Sequence, residues 1–476
     1  MDNFKALKIP IKEKILGSPL TSKLADHIAS AISNGDQTLK DCLASVIETH
    51  NYGDNKQRLR DEFGGMNIQA IQSNRKDGVK LYLLCENIPE DALFDCQNLT
   101  PAQFQQFSSI VRDLLVPLGK KGKNKSAGLS ESRQSEETSK WIKYFVARSG
   151  LLERRKREVV SFVWGGHSLP TDYIGEFDEY RFAEKIGYFN TLINTRKSKN
   201  QKQNRPAEDI TGSGPGIMKA PFKGSLQAFH ELQQKLNRFF IGFTESAIMS
   251  AEKPNKLIDR LIIFPDIEKR MEAFIRAAHR GRVHPGGIGT LEEIMMFFSI
   301  KVHEKNRDSV YPLDFVERPG GKYFSYLDNY LKTCFKDELT ESYQLFNHIL
   351  PRDYAIYVRE TNKLIDRSRL WNDDLYVPAS LQKPLKPDFK FVESIELRRD
   401  LGSAKLLENL RAFFSALVTF NIKQPEILEP WKEERPLLHG DKKIVNATDQ
   451  LIQWMASQGR MKIEGEFVKP YRTHMD

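Results

Sequence analysis

Residues 260–302 constrain the fold most, because short apolar runs alternate there with helical patterns. Residues 261–264 form an apolar run typical of a parallel strand covered on both faces, and Met271 and Phe274 recur at helical spacing. A second, shorter strand is predicted to close at residues 283–284, followed by a glycine loop and a second helix. This order of elements predicts an α/β fold with a parallel sheet.

The loop after the second strand has the composition of a phosphate-binding turn. Pro285 ends the strand. Three glycines then let the main chain turn and approach a ligand without side chains in the way, namely Gly286, Gly287 and Gly289. Thr290 is placed to cap the following helix. Free amides at a helix start favour an anion, so the loop is predicted to hold a phosphate.

Two charged residues flank this loop. Arg270 begins the preceding helix, and Glu293 lies one turn into the helix that Thr290 opens. Both are expected to border one crevice at the carboxyl edge of the sheet. From the residues alone, an ion pair that joins two helices is an alternative role for them.

Another glycine turn follows a predicted buried strand at residues 159–164. Gly165 and Gly166 end this strand, as in the first turn of a nucleotide-binding unit. His167 and Ser168 come next and are candidates for ligand contact, with a structural role as the alternative.

A third glycine turn follows the short strand predicted at residues 209–211 and contains Gly212, Gly214 and Gly216. Its GxGxG spacing differs from the GxGxxG of nicotinamide-dependent enzymes, and no lysine follows as in triphosphate hydrolases. A nucleoside monophosphate is therefore the favoured ligand. Glu245 follows a strand predicted at residues 239–243 and is a candidate contact to ribose or base, with helix capping or a surface role as the alternative.

Length and composition indicate a folded protein of several domains. The 476 residues are too many for one ordinary core, and 10% aromatic content is that of a globular chain. We predict an N-terminal accessory α/β domain at residues 1–118, a flexible linker at 119–140, a core domain at 141–340 and a C-terminal accessory domain at 341–476. Residues 310–315 are expected to form the last strand of the core sheet.

Charge and cysteine content bear on partners and compartment. The net charge of +9 comes with basic runs at residues 120–125, 154–157 and 197–205. No aromatic residues interleave with these runs, which favours solvated loops over nucleic-acid binding. The 4 cysteines lack metal-ligand or paired spacing, and no apolar run has the length of a membrane span or a signal peptide. A cytoplasmic location is therefore expected.

The chain resembles the LOG family of nucleotide phosphoribohydrolases, often mislabelled lysine decarboxylases. Residues 285–293 fit that family's PGGxGTxxE motif, and Arg270 lies at the spacing of its catalytic arginine. Residues 165–168, 212–224 with Met218, and 264–270 resemble the long bacterial branch of the family, which hydrolyses nucleoside 5′-monophosphates and carries N- and C-terminal accessory domains.

This resemblance implies a Rossmann-like core and cleavage of the N-glycosidic bond of AMP, GMP, IMP or pyrimidine monophosphates to free base and ribose 5-phosphate. Glu293 and Arg270 would be catalytic, while the glycine turns with Met218 and Glu245 would bind the nucleotide. It implies no metal and no cofactor. A homo-oligomer, dimer or tetramer, is expected, and the alarmone (p)ppGpp is a candidate effector. The alternatives are a phosphoribohydrolase of cytokinin riboside 5′-monophosphates and a non-catalytic carrier of a nucleotide or of molybdenum cofactor.

Overall fold

The structure is a computed structural model of the chain. It describes residues 67–75, 78–86, 139, 142–143, 146, 151–155, 158–167, 178–196, 208–232, 240–245, 255, 257–258, 260–264, 266–366, 371–385, 387–420, 434–461 and 469–473.

The strands of the described residues are, in chain order, β1 (Asn67–Arg75), β2 (Gly78–Glu86), β3 (Val160–Trp164), β4 (Glu208–Thr211), β5 (Ile241–Glu245), β6 (Arg260–Phe264), β7 (Arg280–Val283), β8 (Leu313–Val316), β9 (Gln344–Phe346), β10 (Glu396–Leu397) and β11 (His439–Gly440).

The α-helices of the same residues are α1 (Leu151–Arg155), α2 (Glu179–Arg196), α3 (Ala220–Glu231), α4 (Ile267–Ala277), α5 (Ile288–Lys301), α6 (Tyr323–Phe335), α7 (Pro351–Asn362), α8 (Phe389–Glu393), α9 (Ser403–Val418) and α10 (Lys442–Ser457).

The chain divides into two compact units, which we call the first and second units. The first unit comprises Met1–Glu153 and Phe239–Ala273. In it, β1 and β2 form an antiparallel hairpin, β2 pairs antiparallel with β6, and β6 pairs parallel with β5. Parallel β5 and β6 are the strands that the sequence predicts around residues 239–243 and 261–264, so these two predictions are confirmed.

The second unit comprises Arg154–Arg238 and Phe274–Asp476. Its sheet has the order β4-β3-β7-β8-β9, and every neighbouring pair is parallel. Parallel pairing brings the carboxyl ends of all these strands to one edge. The predicted α/β class with a Rossmann-like parallel sheet is therefore confirmed.

Aromatic packing fills the core beneath this sheet. The rings of Phe162 and Trp164 stack with their centroids 3.9 Å apart, and Phe297 packs edge-on against Tyr311 at 5.3 Å. On the other side, α2 and α7 enclose an apolar cluster with β8, built from Phe182, Ile186, Val316, Tyr354 and Val358. Both faces of the sheet are thus covered, so the side chains on both faces of β3, β7 and β8 are buried.

Two details of the sheet differ from the prediction. The strand expected to close at residues 283–284 runs from Arg280 to Val283, so it ends one residue before His284. The strand expected at residues 310–315 is β8, and it is not the last one, because β9 pairs beyond it. Strand β9 has only 3 residues and two of them are exposed, so it gives no apolar run for a sequence pattern to detect. The predicted domain boundaries stay predictions.

A buried ion pair connects β7, β8 and α7. The guanidinium of Arg280 contacts the carboxylate of Asp314, which also accepts a hydrogen bond of 2.7 Å from the Tyr354 hydroxyl. Arg280 donates further bonds to Thr361 and Asn362 at 2.9 and 3.0 Å. Because Arg280 and Asp314 are 1% and 0% exposed, either charge would be costly if its partner were removed.

We expect Asp314→Asn to lower the free energy of unfolding by ~3–5 kcal/mol, because it leaves the Arg280 charge buried without a counter-ion. Tyr354→Phe should cost only about 1 kcal/mol, since it removes one hydrogen bond. Glu360 forms exposed ion pairs with Arg359 and Lys363, so Glu360→Gln is the matched control and should stay within about 0.5 kcal/mol of wild type. Urea unfolding measures all three, and equal losses for the Asp314 and Glu360 variants would contradict the prediction.

His284, directly after β7, makes stability sensitive to acid. Burial holds the pKa of His284 well below its usual 6.5, and the charge of Arg282 lowers it further. The unfolded chain therefore binds the proton more readily than the folded chain, so the contribution of this residue is complete above pH 6.5 and is lost as the pH falls below it. Between pH 7.5 and 5.5 the wild type should lose about 1 kcal/mol more stability than His284→Gln. If urea unfolding shows that the free energy of unfolding falls equally with pH in the two proteins, the prediction is wrong.

Candidate active site

Three glycine turns meet at the carboxyl edge of the second unit's sheet. The amide of Gly166, after β3, donates a hydrogen bond of 3.1 Å to the carbonyl of Pro285, after β7. The amide of Ile217, in the turn after β4, donates to the carbonyl of Gly166 at 3.0 Å. The turns that the sequence singles out separately are thus joined through their main chains.

The contact between the turns after β3 and β4 depends on glycine at position 216. Gly216 has a φ of 63°, and a side-chain carbon there would collide with the carbonyl oxygens of Gly166 and His167. Only glycine satisfies both the left-handed conformation and the close approach. In the same turn, the sulphur of Met218 lies where a side chain on Gly212 would be. Met218 thus has a packing role, and its contact with a nucleotide stays a prediction.

Helix α5 begins at the third turn. Its N-cap is Gly287, in an extended conformation and without a side-chain capping bond. The amides of Thr290 and Leu291 donate to the carbonyl of Gly287 at 3.0 and 3.2 Å. The prediction that Thr290 caps the helix is therefore wrong: the Gly287 carbonyl already accepts the first bonds, so the helix starts two residues before Thr290.

The first turn of α5 is shaped to receive an anion. The Thr290 side chain packs where a side chain on Gly286 would be, so glycine is required at that position. The first amides of a helix have no carbonyl acceptor within it, and the helix dipole adds a partial positive charge there. Helix α5 begins at the joined turns, which makes its start the candidate phosphate subsite.

Glu293 lies in the second turn of α5, three residues after Thr290 and therefore on the same side of the helix. It is 9% exposed. Nearly all of α5 is buried, because α9 of the C-terminal part packs along it. The helix that carries this carboxylate is therefore held rigidly at the edge of the sheet.

Arg270 and Glu245 belong to the first unit. Arg270 lies in the first turn of α4 and is 4% exposed, and Glu245 is the last residue of β5 and is 2% exposed. Their predicted roles, including the pairing of Arg270 with Glu293, stay predictions. His167 is described and partly buried, whereas Ser168 lies outside the described residues.

A charged cluster after β8 is absent from the sequence-based prediction. Glu317 accepts hydrogen bonds from the amides of Tyr323 and Phe324 at 2.9 and 3.1 Å, and so caps α6. Arg318 lies 3.5 Å from the carboxylate of Glu179, at the start of α2. The position of Glu317 and Arg318 directly after a predicted strand was the available signal, because ligands collect at such strand ends.

Arg460, which follows α10, also reaches this cluster. Its guanidinium lies over the ring of Tyr323, with its central carbon 4.8 Å from the ring centroid. Burial raises the pKa of Glu179 to about 7, with a further rise from the charge of Glu317. Burial likewise raises the pKa of Glu317, which the charge of Arg460 opposes. Near neutral pH, Glu179 therefore carries only part of its negative charge.

The described residues offer no group of three or more His, Cys, Asp or Glu side chains that could hold a metal ion. Within the same part of the chain, no helix combines the length and the apolar character needed to cross a membrane.

Known proteins resemble this chain over most of its length. Residues 218–353 match the family described as possible lysine decarboxylase, and residues 356–473 match the family described as pyrimidine/purine nucleotide monophosphate nucleosidase, C-terminal. Pyrimidine/purine nucleotide 5′-monophosphate nucleosidases from Escherichia coli strains K12, O6:H1 and O157:H7 are each 30% identical over 457 residues, which is 93% of this chain and 93% of each relative.

Among solved structures, the molybdenum cofactor binding protein from Rippkaea orientalis aligns with 43% of this chain and 98% of its own, at 14% identity and a TM-score of 0.28. A superposition at that score supports no conclusion. The relatives that match along nearly the whole chain are decisive instead: the chain belongs to the pyrimidine/purine nucleotide 5′-monophosphate nucleosidase family.

Proposed function

We propose that this protein hydrolyses the N-glycosidic bond of nucleoside 5′-monophosphates, releasing the free base and ribose 5-phosphate. The observation that best supports this is the meeting of three glycine turns at the start of α5, the helix that also carries Glu293. Family membership supports the same reaction, since the E. coli relatives are named for it.

The phosphate of the nucleotide binds at the start of α5 in this proposal. The amides of Gly287 and Gly289 supply donors, and Gly286 leaves room for close approach. Thr290 borders the same subsite with its side chain, because its amide already donates to the Gly287 carbonyl. Gly165, Gly166, Gly212, Gly214 and Gly216 border the nucleotide from the two neighbouring turns. Direct contacts from His167, Ser168, Met218 and Glu245 belong to the proposal as well.

Bond cleavage passes through a ribose that resembles an oxocarbenium ion. Water forms a bond to C1′ as the C1′–N bond breaks, and the base leaves with the bonding electron pair. Glu293 orients the water, takes its proton and stabilises the positive charge on the sugar, and the proton ends on the departing base. Arg270 fixes the Glu293 carboxylate or holds the phosphate through its planar guanidinium.

The range of bases, the homo-oligomeric state and an alarmone effector rest on the family resemblance and stay predictions. The cytoplasmic location rests on the composition of the chain and likewise stays a prediction. In one alternative, the enzyme prefers a cytokinin riboside 5′-monophosphate as its substrate. In the other, the protein carries a nucleotide or molybdenum cofactor and catalyses no reaction. A comparison of AMP, GMP, IMP, CMP and UMP as substrates distinguishes between these alternatives.

We expect Glu293→Gln to reduce AMP cleavage by about 10²–10⁴-fold, because the variant loses the base and the negative charge but keeps the shape of the side chain. Adenine release measures turnover, and calorimetric titration with AMP should show that binding survives. Glu304 is exposed just beyond the same helix, so Glu304→Gln is the matched control and should retain full activity. Undiminished cleavage by the Glu293 variant would show that the reacting carboxylate lies elsewhere.

A further inference from the structure

Arg460 brings the C-terminal part of the chain to the glycine turn at α5. Its main-chain carbonyl lies against Gly287, where a side-chain carbon would collide with it. The central carbon of its guanidinium lies over the Tyr323 ring, 4.8 Å from the ring centroid. Arg460 falls within the part of the chain that matches the nucleosidase C-terminal family.

Two nitrogen atoms of this guanidinium are buried without a partner. Nε and Nη1 of Arg460 are shielded from solvent and make no hydrogen bond to any described residue. Buried charged donors without an acceptor are costly, and a bound ligand is one of the few explanations for them. The arginine is therefore available to an acceptor that the described residues do not supply.

The nearby carboxylates among the described residues form no ion pair with the guanidinium of Arg460. Both oxygens of Glu317 already accept main-chain amides at the start of α6, and Glu179 is paired with Arg318. Burial raises the pKa of Glu179 to about 7, so its opposing charge is incomplete near neutral pH. Arg460 thus keeps a positive charge that is not neutralised by direct contact.

Tyr323 provides a second, independent donor at the same place. Its side chain is only 2% exposed, and its hydroxyl donates no hydrogen bond to any described residue. The main-chain amide of Gly286, the first glycine of the turn, faces the oxygen of this hydroxyl. A hydroxyl donor, a guanidinium and the first amides of α5 therefore lie around the same turn, which favours an anion with several acceptor oxygens.

We propose that Arg460 and Tyr323 bind the 5′-phosphate at the start of α5, so that the C-terminal segment completes the phosphate subsite. The inference rests on the proposed function for the identity of the phosphate. A helix terminus supplies only about half a positive charge, whereas a phosphate monoester carries close to two negative charges. The guanidinium of an arginine supplies the further positive charge that balances the phosphate. The tyrosine hydroxyl donates to a phosphate oxygen.

Measuring AMP and adenosine binding in the Glu293→Gln background distinguishes phosphate binding by Arg460 from a purely structural role. Adding Arg460→Gln should weaken AMP binding by at least about tenfold and leave adenosine binding unchanged, because only AMP carries the phosphate. Arg460→Lys keeps the charge and should recover part of the affinity, and Tyr323→Phe should weaken AMP binding by about threefold to tenfold. Lys443 is an exposed cation in α10, so Lys443→Gln is the matched control and should change neither affinity.

Unchanged AMP affinity in the Arg460→Gln protein, or equal losses for AMP and adenosine, would overturn the inference. If Arg460→Gln does not fold, Arg460→Lys and Tyr323→Phe decide, and wild-type AMP affinity in both would refute it. Ribose 5-phosphate serves as a probe that needs no turnover. If the wild type does not cleave AMP, the proposed reaction is wrong. The phosphate subsite is tested separately, because substitution of Arg460 should still weaken the binding of ribose 5-phosphate.

Discussion

The close approach of main chains at the carboxyl edge of the parallel sheet is the constraint on which the rest of the site depends. The amide of Gly166 reaches the carbonyl of Pro285, and Ile217 reaches the carbonyl of Gly166. The second of these contacts forms only because Gly216 carries no side chain and adopts a left-handed conformation. Main-chain contacts thus determine the shape of this edge, and the charged side chains extend from it.

The C-terminal part of the chain supports this edge from the outside. Helix α9 packs along α5, and α10 packs against α6, whose first residue is Tyr323. The aromatic contact between Tyr326 and Trp454, stacked at 4.5 Å, fixes the α6–α10 pair. Because α5 is apolar on nearly all sides, its stability depends on the packing of α9 against it.

Part of the second unit's fold could be predicted from the sequence, because β3 is a largely apolar run that ends at a glycine turn. Strand β7 has the sequence Arg-Gly-Arg-Val and no apolar run, so only its end before the glycine turn was predicted. The short edge strand β9 and the N-cap at Gly287 were missed, since neither depends on a side-chain pattern. The cluster of Glu179, Glu317 and Arg460 could not be found, because no local pattern shows that residues so far apart in the chain will meet.

The contact between the Arg460 carbonyl and Gly287 has a thermodynamic consequence. A rearrangement of the chain after α10 must alter the space in which the amides at the start of α5 meet a ligand. Linkage is reciprocal, so a ligand that favours one arrangement of those amides also stabilises the matching position of Arg460. Ligand occupancy at the start of α5 and the position of the Arg460 main chain are therefore thermodynamically coupled.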